Sequence, residues 1–517
     1  MNGARSLLDT LMANGVDVCF ANPGTSEMHF VAALDQVDGM RCVLGLFEGV
    51  VTGAADGYAR MTDRPAATLL HLGPGLANGL SNLHNAMRAH SPIVNVIGDH
   101  ATYHRLYDAP LTSDIEGTAR PFSHWVRTSP TADTVAGDAA AAVAAARTAP
   151  GRIASLILPA DAAWSPVSRE SAAPERAVVP PTRKPADETI EAVAEILRSG
   201  KNTGIVLGPS ATREGPLELA GRIAGATGAR LFAPTHIARI SRGAGRVPVH
   251  RLPYPVDQAL DTLRDLDNLI LVGAKAPVAF FAYPDKPSRL VQPGTHVHEL
   301  AQPDEDTGYA LRALVDALDA THATAPRTEL AAPARPDGAL TPEKIGAVLG
   351  ALLPEQAIVV DESITTGRTF LDDTRTAPPH DWILGTGGAI GYALPCATGA
   401  AIACPDRKTI ALESDGSGMY MPQALWTHAR EGLNILTLVF ANHRYQILRG
   451  EMANVGATRK GANADALLNI DNPRIDWVSQ ARTFGIEAFR AETAGELARD
   501  LEAGLAVRGP CVIEVAC

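Results

Sequence analysis

No apolar stretch in the 517 residues approaches the roughly 18 that a membrane-spanning helix needs. The opening run MNGARSLLDTLMANGVDVCF is amphipathic and holds Asp9 within it, unlike a secretory signal, so the expectation is a cytoplasmic protein. Lysine and arginine form no cluster and the formal net charge is −12, which argues against a nucleic-acid surface and against an anionic membrane. Cysteine is scarce. Cys19, Cys42, Cys396, Cys404, Cys511 and Cys517 include no CxxC pair and no histidine at ligand spacing, so they read as small core residues rather than a metal or redox centre. Aromatics reach only 5% while alanine is abundant, which points to closely packed helices.

Hydrophobic residues at 46% and charged residues at 20% describe an ordinary globular chain, and its length suggests three domains. Residues 166–187 and 319–340 lose hydrophobic periodicity and fill with proline, alanine and charge, so they read as linkers. The remaining segments are 1–165, 188–318 and 341–517. Within each, β-branched runs such as SPIVNVIGD, NTGIVLGPS and NILTLVFANH alternate with amphipathic helical stretches, the pattern of doubly wound parallel sheets. GYARMTDRPAATLLHLGPG can be laid over GAAIACPDRKTIALESDGS, helix on helix and strand on strand. The first and third segments are therefore expected to fold alike, around a different, Rossmann-like middle domain.

In such sheets ligands bind beyond the carboxyl ends of the strands. IALESDGSGMY places Asp415 there, beside a Gly-Ser turn suited to phosphate. A carboxylate next to a phosphate makes sense with a divalent cation between them, and a hard ion such as Mg²⁺ takes oxygen ligands. Asn442 ends the next apolar run and offers a second oxygen; the Arg444 carbonyl offers a third, and Gly416 and Ser417 supply amides and a hydroxyl. The plainer alternative is that Asp415 caps a helix. Glu48 opens a Gly/Ala-rich helix and is either a partner of the helix dipole or a working carboxylate. GTGGAIGYALP, Gly385 to Pro395, suggests a dinucleotide loop, but the spacing is imperfect and the preceding PPHDW makes a poor strand, so NAD is set aside. GPGLANG, Gly73 to Gly79, reads as a tight turn.

These stretches resemble the thiamine diphosphate enzymes that act on 2-oxo acids. Their GDG…NN signature stands here as SDGS and AN, keeping both presumed ligands while changing the first Gly and the first Asn. NPGTSEMHF, HLGPG and LSNLHNAMRAHSPIV make benzoylformate decarboxylase and the acetolactate synthase-like proteins the nearest subgroup. The resemblance implies thiamine diphosphate and Mg²⁺, with Asp415, Asn442 and Arg444 around the metal. Thr365, Gly416, Ser417 and Tyr445 would contact the diphosphate side, Gly388 would present its carbonyl to the aminopyrimidine, and Ile390 would wedge the cofactor into a bent shape. Glu48 would share a proton with the aminopyrimidine. Thr25 and His71 would face the substrate, His71 as acid or base, whereas the middle-domain histidine of benzoylformate decarboxylase has no counterpart in APVAFFAYPDKP. FAD, used by acetolactate synthases proper, is not expected.

The reaction so implied is non-oxidative decarboxylation or carboligation of a 2-oxo acid through a cofactor ylide and an enamine. The alternatives are an acetolactate synthase-type carboligase or C–C lyase and, from another class, a non-catalytic subunit that only binds the cofactor. The resemblance further implies a homodimer at least, with a homotetramer the expected assembly, and Glu48 of one chain and Asp415 of another serving one cofactor.

Overall fold

The computed structural model describes residues 1–457 and 461–517. Three parallel sheets follow one another. The first is built from β1 (Val18–Asn22), β2 (Arg41–Leu44), β3 (Ala66–Leu70), β4 (Ile93–Asp99), β5 (Trp125–Thr128) and β6 (Ile153–Pro159). The middle segment holds β7 (Thr203–Leu207), β8 (Arg230–Ala233), β9 (Ile240–Arg242), β10 (His250–Arg251), β11 (Asn268–Val272) and β12 (His296–Ala301). The third holds β13 (Ile358–Glu362), β14 (His380–Leu384), β15 (Thr409–Ser414), β16 (Ile435–Ala441), β17 (Glu487–Ala491) and β18 (Cys511–Ala516).

Strand order carries the internal likeness. The first sheet runs β2-β1-β3-β4-β6-β5 and the third runs β14-β13-β15-β16-β18-β17, the same arrangement strand for strand. The middle sheet, β10-β8-β7-β11-β12, steps outward in both directions from its first strand, which is the doubly wound pattern of nucleotide-binding folds. β9 leaves that sheet and pairs antiparallel with β14 at the edge of the third.

The first and third sheets share one core. Phe20, Tyr58, Leu83, Ile383, Met421 and Trp477 belong to a single buried cluster. At its centre the Glu48–Thr62 helix crosses the Ala393–Ala403 helix. Both are built from small residues, and the second is apolar on every side, as a fully buried helix must be. A methyl group on Gly57 would overlap the Cys396 carbonyl oxygen, and one on Gly399 would overlap the Ala54 carbonyl oxygen. Backbone therefore touches backbone.

Three sequence expectations change. PPHDW does enter a strand: β14 is fully buried, and its polar residues find partners, Asp381 lying between Arg239 at 2.9 Å and Arg407 at 2.7 Å. Gly73–Gly79 is no turn but the start of the Leu72–Ala89 helix. Its glycines admit close neighbours, since a Cβ on Gly75 would meet Glu48 Oε1 at 3.1 Å. Cys19, Cys396 and Cys511 are buried, whereas Cys42 and Cys517 are exposed. No described helix is long and apolar enough to cross a membrane.

The helix crossing yields a prediction. Gly57→Ala should lower unfolding free energy by about 1–3 kcal/mol through overpacking, while Gly137→Ala, where the added methyl meets nothing within 4 Å, should leave it level or slightly raised. Urea midpoints followed by tryptophan fluorescence decide, and equal midpoints for the two variants would refute the crossing.

Candidate active site

Parallel register brings the decisive residues together. β15 pairs with β16 up to Ser414 opposite Phe440, so both strands release their chains side by side and Asp415 meets the Asn442–His443 turn. Asp415 is buried; its Oδ2 accepts the His443 N–H at 2.6 Å and its Oδ1 the Gly416 N–H at 2.9 Å. Burial pushes its pKa above the usual carboxylate value, against the pull of those amides. Asn442 Oδ1 accepts from Arg444 N at 3.0 Å. A cavity of about 190 Å³ opens here, lined among others by Thr365, Ile390, Asp415, Gly416, Asn442 and Tyr445. Ser417 and Arg444 line it as well, but the Ser417 hydroxyl is turned to Glu413 Oε1 and is not free for a ligand. A Cβ on Gly416 would meet the Tyr445 ring at 2.6 Å, so only glycine leaves that wall of the cradle open.

Beneath the cavity lie carboxylates that the sequence analysis left without a role. Glu362 and Glu413 are directly opposed on β13 and β15, and both are buried. Like charges so placed repel, and burial weakens solvent screening between them. Burial, helped by the Glu362 charge, drives Glu413 well above the ordinary range; burial drives Glu362 up to about 7. Glu362 Oε1 and Oε2 accept the Gly391 N–H at 2.8 Å and the Ala393 N–H at 3.0 Å. A dinucleotide loop would offer those amides to a pyrophosphate, and here they are taken, a physical reason for setting NAD aside.

In the first domain Glu48 is buried at the start of its helix, where Asn78 Nδ2 donates to Glu48 Oε2 at 2.9 Å. His71 follows β3 as the residue before the Leu72–Ala89 helix, and its Nδ1 lies 2.7 Å from Glu27 Oε2, which also accepts the Gly24 N–H at 2.7 Å. Burial raises the pKa of Glu27. Thr25 is exposed on the same turn. Glu27 follows Gly24 by three residues, the spacing at which a carboxylate reaches back to the N-cap N–H, a signal the sequence carries. Asn78, Asn82 and Asn85 recur at i, i+4 and i+7, a polar stripe that sequence periodicity could have flagged. None of the residues lining the Asp415 cavity precedes Ile364, so Glu48, His71 and Thr25 form one group of this chain and Asp415 with Asn442 another.

Three residues of these loops hold left-handed backbone without being glycine: Leu72 (φ 49°), Ile364 (φ 49°) and His443 (φ 55°). Such conformations cost roughly 1–3 kcal/mol each and collect where geometry serves a ligand.

Two like-ordered parallel sheets sharing one core, with an Asp and an Asn at adjacent strand ends, mark a cofactor-binding α/β enzyme. Residues 1–118 match the thiamine pyrophosphate enzyme N-terminal TPP binding domain and residues 367–515 the C-terminal TPP binding domain. The chain is 51% identical over 516 residues to a Mycobacterium tuberculosis protein provisionally named acetolactate synthase large subunit IlvX, covering 100% of this chain and 99% of that one. It is 30% identical over 540 aligned positions to benzoylformate decarboxylase of Pseudomonas aeruginosa, covering 98% and 97%. The thiamine diphosphate-dependent 4-hydroxybenzoylformate decarboxylase of Rhodococcus jostii RHA1 superposes with a TM-score of 0.87 at 25% identity, covering 100% and 99%. The chain belongs to the thiamine pyrophosphate enzyme family, among its decarboxylases and acetolactate synthase-like members.

The Glu362–Glu413 pair makes stability depend on pH. Glu362 binds its proton more tightly folded than unfolded, so its contribution is complete below about 4.5, its ordinary value, and is lost as pH rises through about 7. Melting temperature of the cofactor-free protein should fall over that window, and Glu362→Gln should flatten the fall. An unchanged slope in the variant would contradict the assignment.

Proposed function

We propose that this enzyme decarboxylates a 2-oxo acid non-oxidatively, with thiamine diphosphate held by Mg²⁺, in the cytoplasm. The observation that carries the reading is Asp415 buried beside Asn442 at neighbouring strand ends, above a cradle that only Gly416 leaves open. The donor set fits the metal: one carboxylate, one side-chain carbonyl and the Arg444 backbone carbonyl are hard oxygens, with phosphate and water to complete the shell.

When bound, thiamine diphosphate supplies a nucleophilic carbon and an electron sink. The protein does the rest. Thr365, Ile390 and Tyr445 line the Asp415 cavity and would border the cofactor there, and the neighbouring Gly388 would present its carbonyl to the aminopyrimidine. Glu48, buried at its helix start, would share a proton with the aminopyrimidine. Glu27 holds His71 by Nδ1, which leaves Nε2 to give or take a proton at the substrate. Exposed Thr25 borders the same space. That the Glu48 group and the Asp415 cavity share no lining in one chain supports a complete site formed between two chains, in a homodimer at least and a homotetramer as the full assembly.

The similarity to an acetolactate synthase-named relative favours a second reading, a carboligase in which a second carbonyl compound rather than a proton is the acceptor. The changed SDG and AN motifs motivate a third, a cofactor-binding subunit without turnover.

Carbon dioxide release from a panel of 2-oxo acids, with cofactor and Mg²⁺ present or omitted and products identified by mass, tests the proposal. Aldehyde supports the decarboxylase and hydroxy ketone the carboligase. Glu48→Gln should reduce kcat by at least about 10²-fold while cofactor binding persists; unchanged turnover would defeat the catalytic reading. Glu48→Gln and Asp415→Asn, each inactive alone, should recover roughly a quarter of wild-type activity when mixed and re-associated, since half of random dimers carry one intact site. No recovery in verified heterodimers would place both residues in one chain's site.

A further inference from the structure

Ile390 sits between two peptides that are gripped by buried side chains of different domains. On one side Asn85, fully buried in the Leu72–Ala89 helix, uses both ends of its amide on Ala389: Nδ2 donates to the Ala389 carbonyl at 2.9 Å, and Oδ1 accepts the Ala389 N–H at 3.2 Å. On the other side Glu362 Oε1 accepts the Gly391 N–H at 2.8 Å. The grips are themselves fixed. Asn82 Oδ1 accepts from Asn85 Nδ2 at 3.1 Å, and the second Glu362 oxygen holds the Ala393 N–H. The Ser414 hydroxyl donates to the Glu362 carbonyl at 3.1 Å, tying the same residue to the strand end that carries Asp415. The far end of the loop is held separately, by Arg60 Nη1 on the Leu384 carbonyl at 2.7 Å and by His236 Nδ1, 2.8 Å from the Gly385 carbonyl.

Buried loop amides need partners, and that alone accounts for some side chain being present. It does not account for the arrangement, in which the two residues flanking Ile390 are each fixed from outside the loop while Ile390 makes no side-chain hydrogen bond and lines the Asp415 cavity. We propose that Asn85 and Glu362 are positioning residues that set the depth and direction of Ile390, and through it the shape in which thiamine diphosphate is held. This rests on the wedge role given to Ile390 above. The first domain thereby shapes the cofactor pocket of its own chain, while its Glu48 serves the pocket of the other.

The test uses the full-length protein with thiamine diphosphate and Mg²⁺. Asn85→Asp keeps size and shape but turns a donor toward the Ala389 carbonyl into a repelling oxygen; Glu362→Gln acts from the opposite side should the first variant fail to fold. Each should weaken cofactor binding, read by tryptophan quenching, about tenfold, lower kcat at saturating cofactor about tenfold or more with substrate KM nearly unmoved, and alter the near-UV circular dichroism of the bound cofactor. The double variant should lose no more than Ile390→Ala, because both act through one side chain. A purely structural role would lower melting temperature yet leave the dichroism and kcat at saturating cofactor as in the wild type, and that result overturns the proposal. If Ile390→Ala changes the dichroism while neither other variant does, the clamp falls and the functional reading stands. If thiamine diphosphate produces no quenching or dichroism in the wild type, the functional reading falls, and the clamp with it.

Discussion

Two helix backbones in contact govern this structure. The Glu48–Thr62 and Ala393–Ala403 helices approach so closely that neither Gly57 nor Gly399 can carry a side chain, and such contact is possible only where both faces are made of small residues. That crossing welds the first sheet to the third through one core. It also fixes where chemistry can be done, since Glu48 begins one helix and the Gly385–Pro395 loop begins the other. Moving either helix by the width of a methyl group would displace both.

The region around that crossing is electrostatically expensive. Arg60 is almost wholly buried, and its pairing with Asp56 at 2.6 Å lets it reach the Leu384 carbonyl without an uncompensated charge. Glu362 faces Glu413 across a β-ladder, and Leu72, Ile364 and His443 occupy backbone regions that side chains resist. Packing elsewhere offsets these costs. At these strand ends buried side chains hold the loop amides, Glu362 those of Gly391 and Ala393 and Asp415 that of His443, an arrangement that lowers the ordering cost of binding.

Much of this was legible in the sequence because the relevant signals are periodic or local. Apolar runs alternating with helical patterns disclosed the doubly wound sheets, and Asp415 and Asn442 stand where apolar runs end. β14 escaped notice because HDWIL has polar residues whose partners, Arg239 and Arg407, lie far away in sequence. The Gly73–Gly79 stretch misled for the converse reason: glycine signals a turn locally, yet here it makes room for Glu48 and His71 on a continuous helix. The clamp on Ile390 joins residues about 300 positions apart, a relation no window of sequence contains. The strain at Leu72, Ile364 and His443 left no trace either, because none is a glycine.

β9 belongs by sequence to the middle segment and by hydrogen bonding to the third sheet, where Trp382 lies opposite Ile240. Without it β14 would be an open edge, rich in apolar side chains and ready to pair with any exposed strand. The third domain therefore cannot be cut from the chain cleanly at the linker before Pro342, and during synthesis the middle segment waits for a partner strand made more than a hundred residues later. Order of emergence and order of completion differ in this protein, and the aggregation hazard lies in the interval between them.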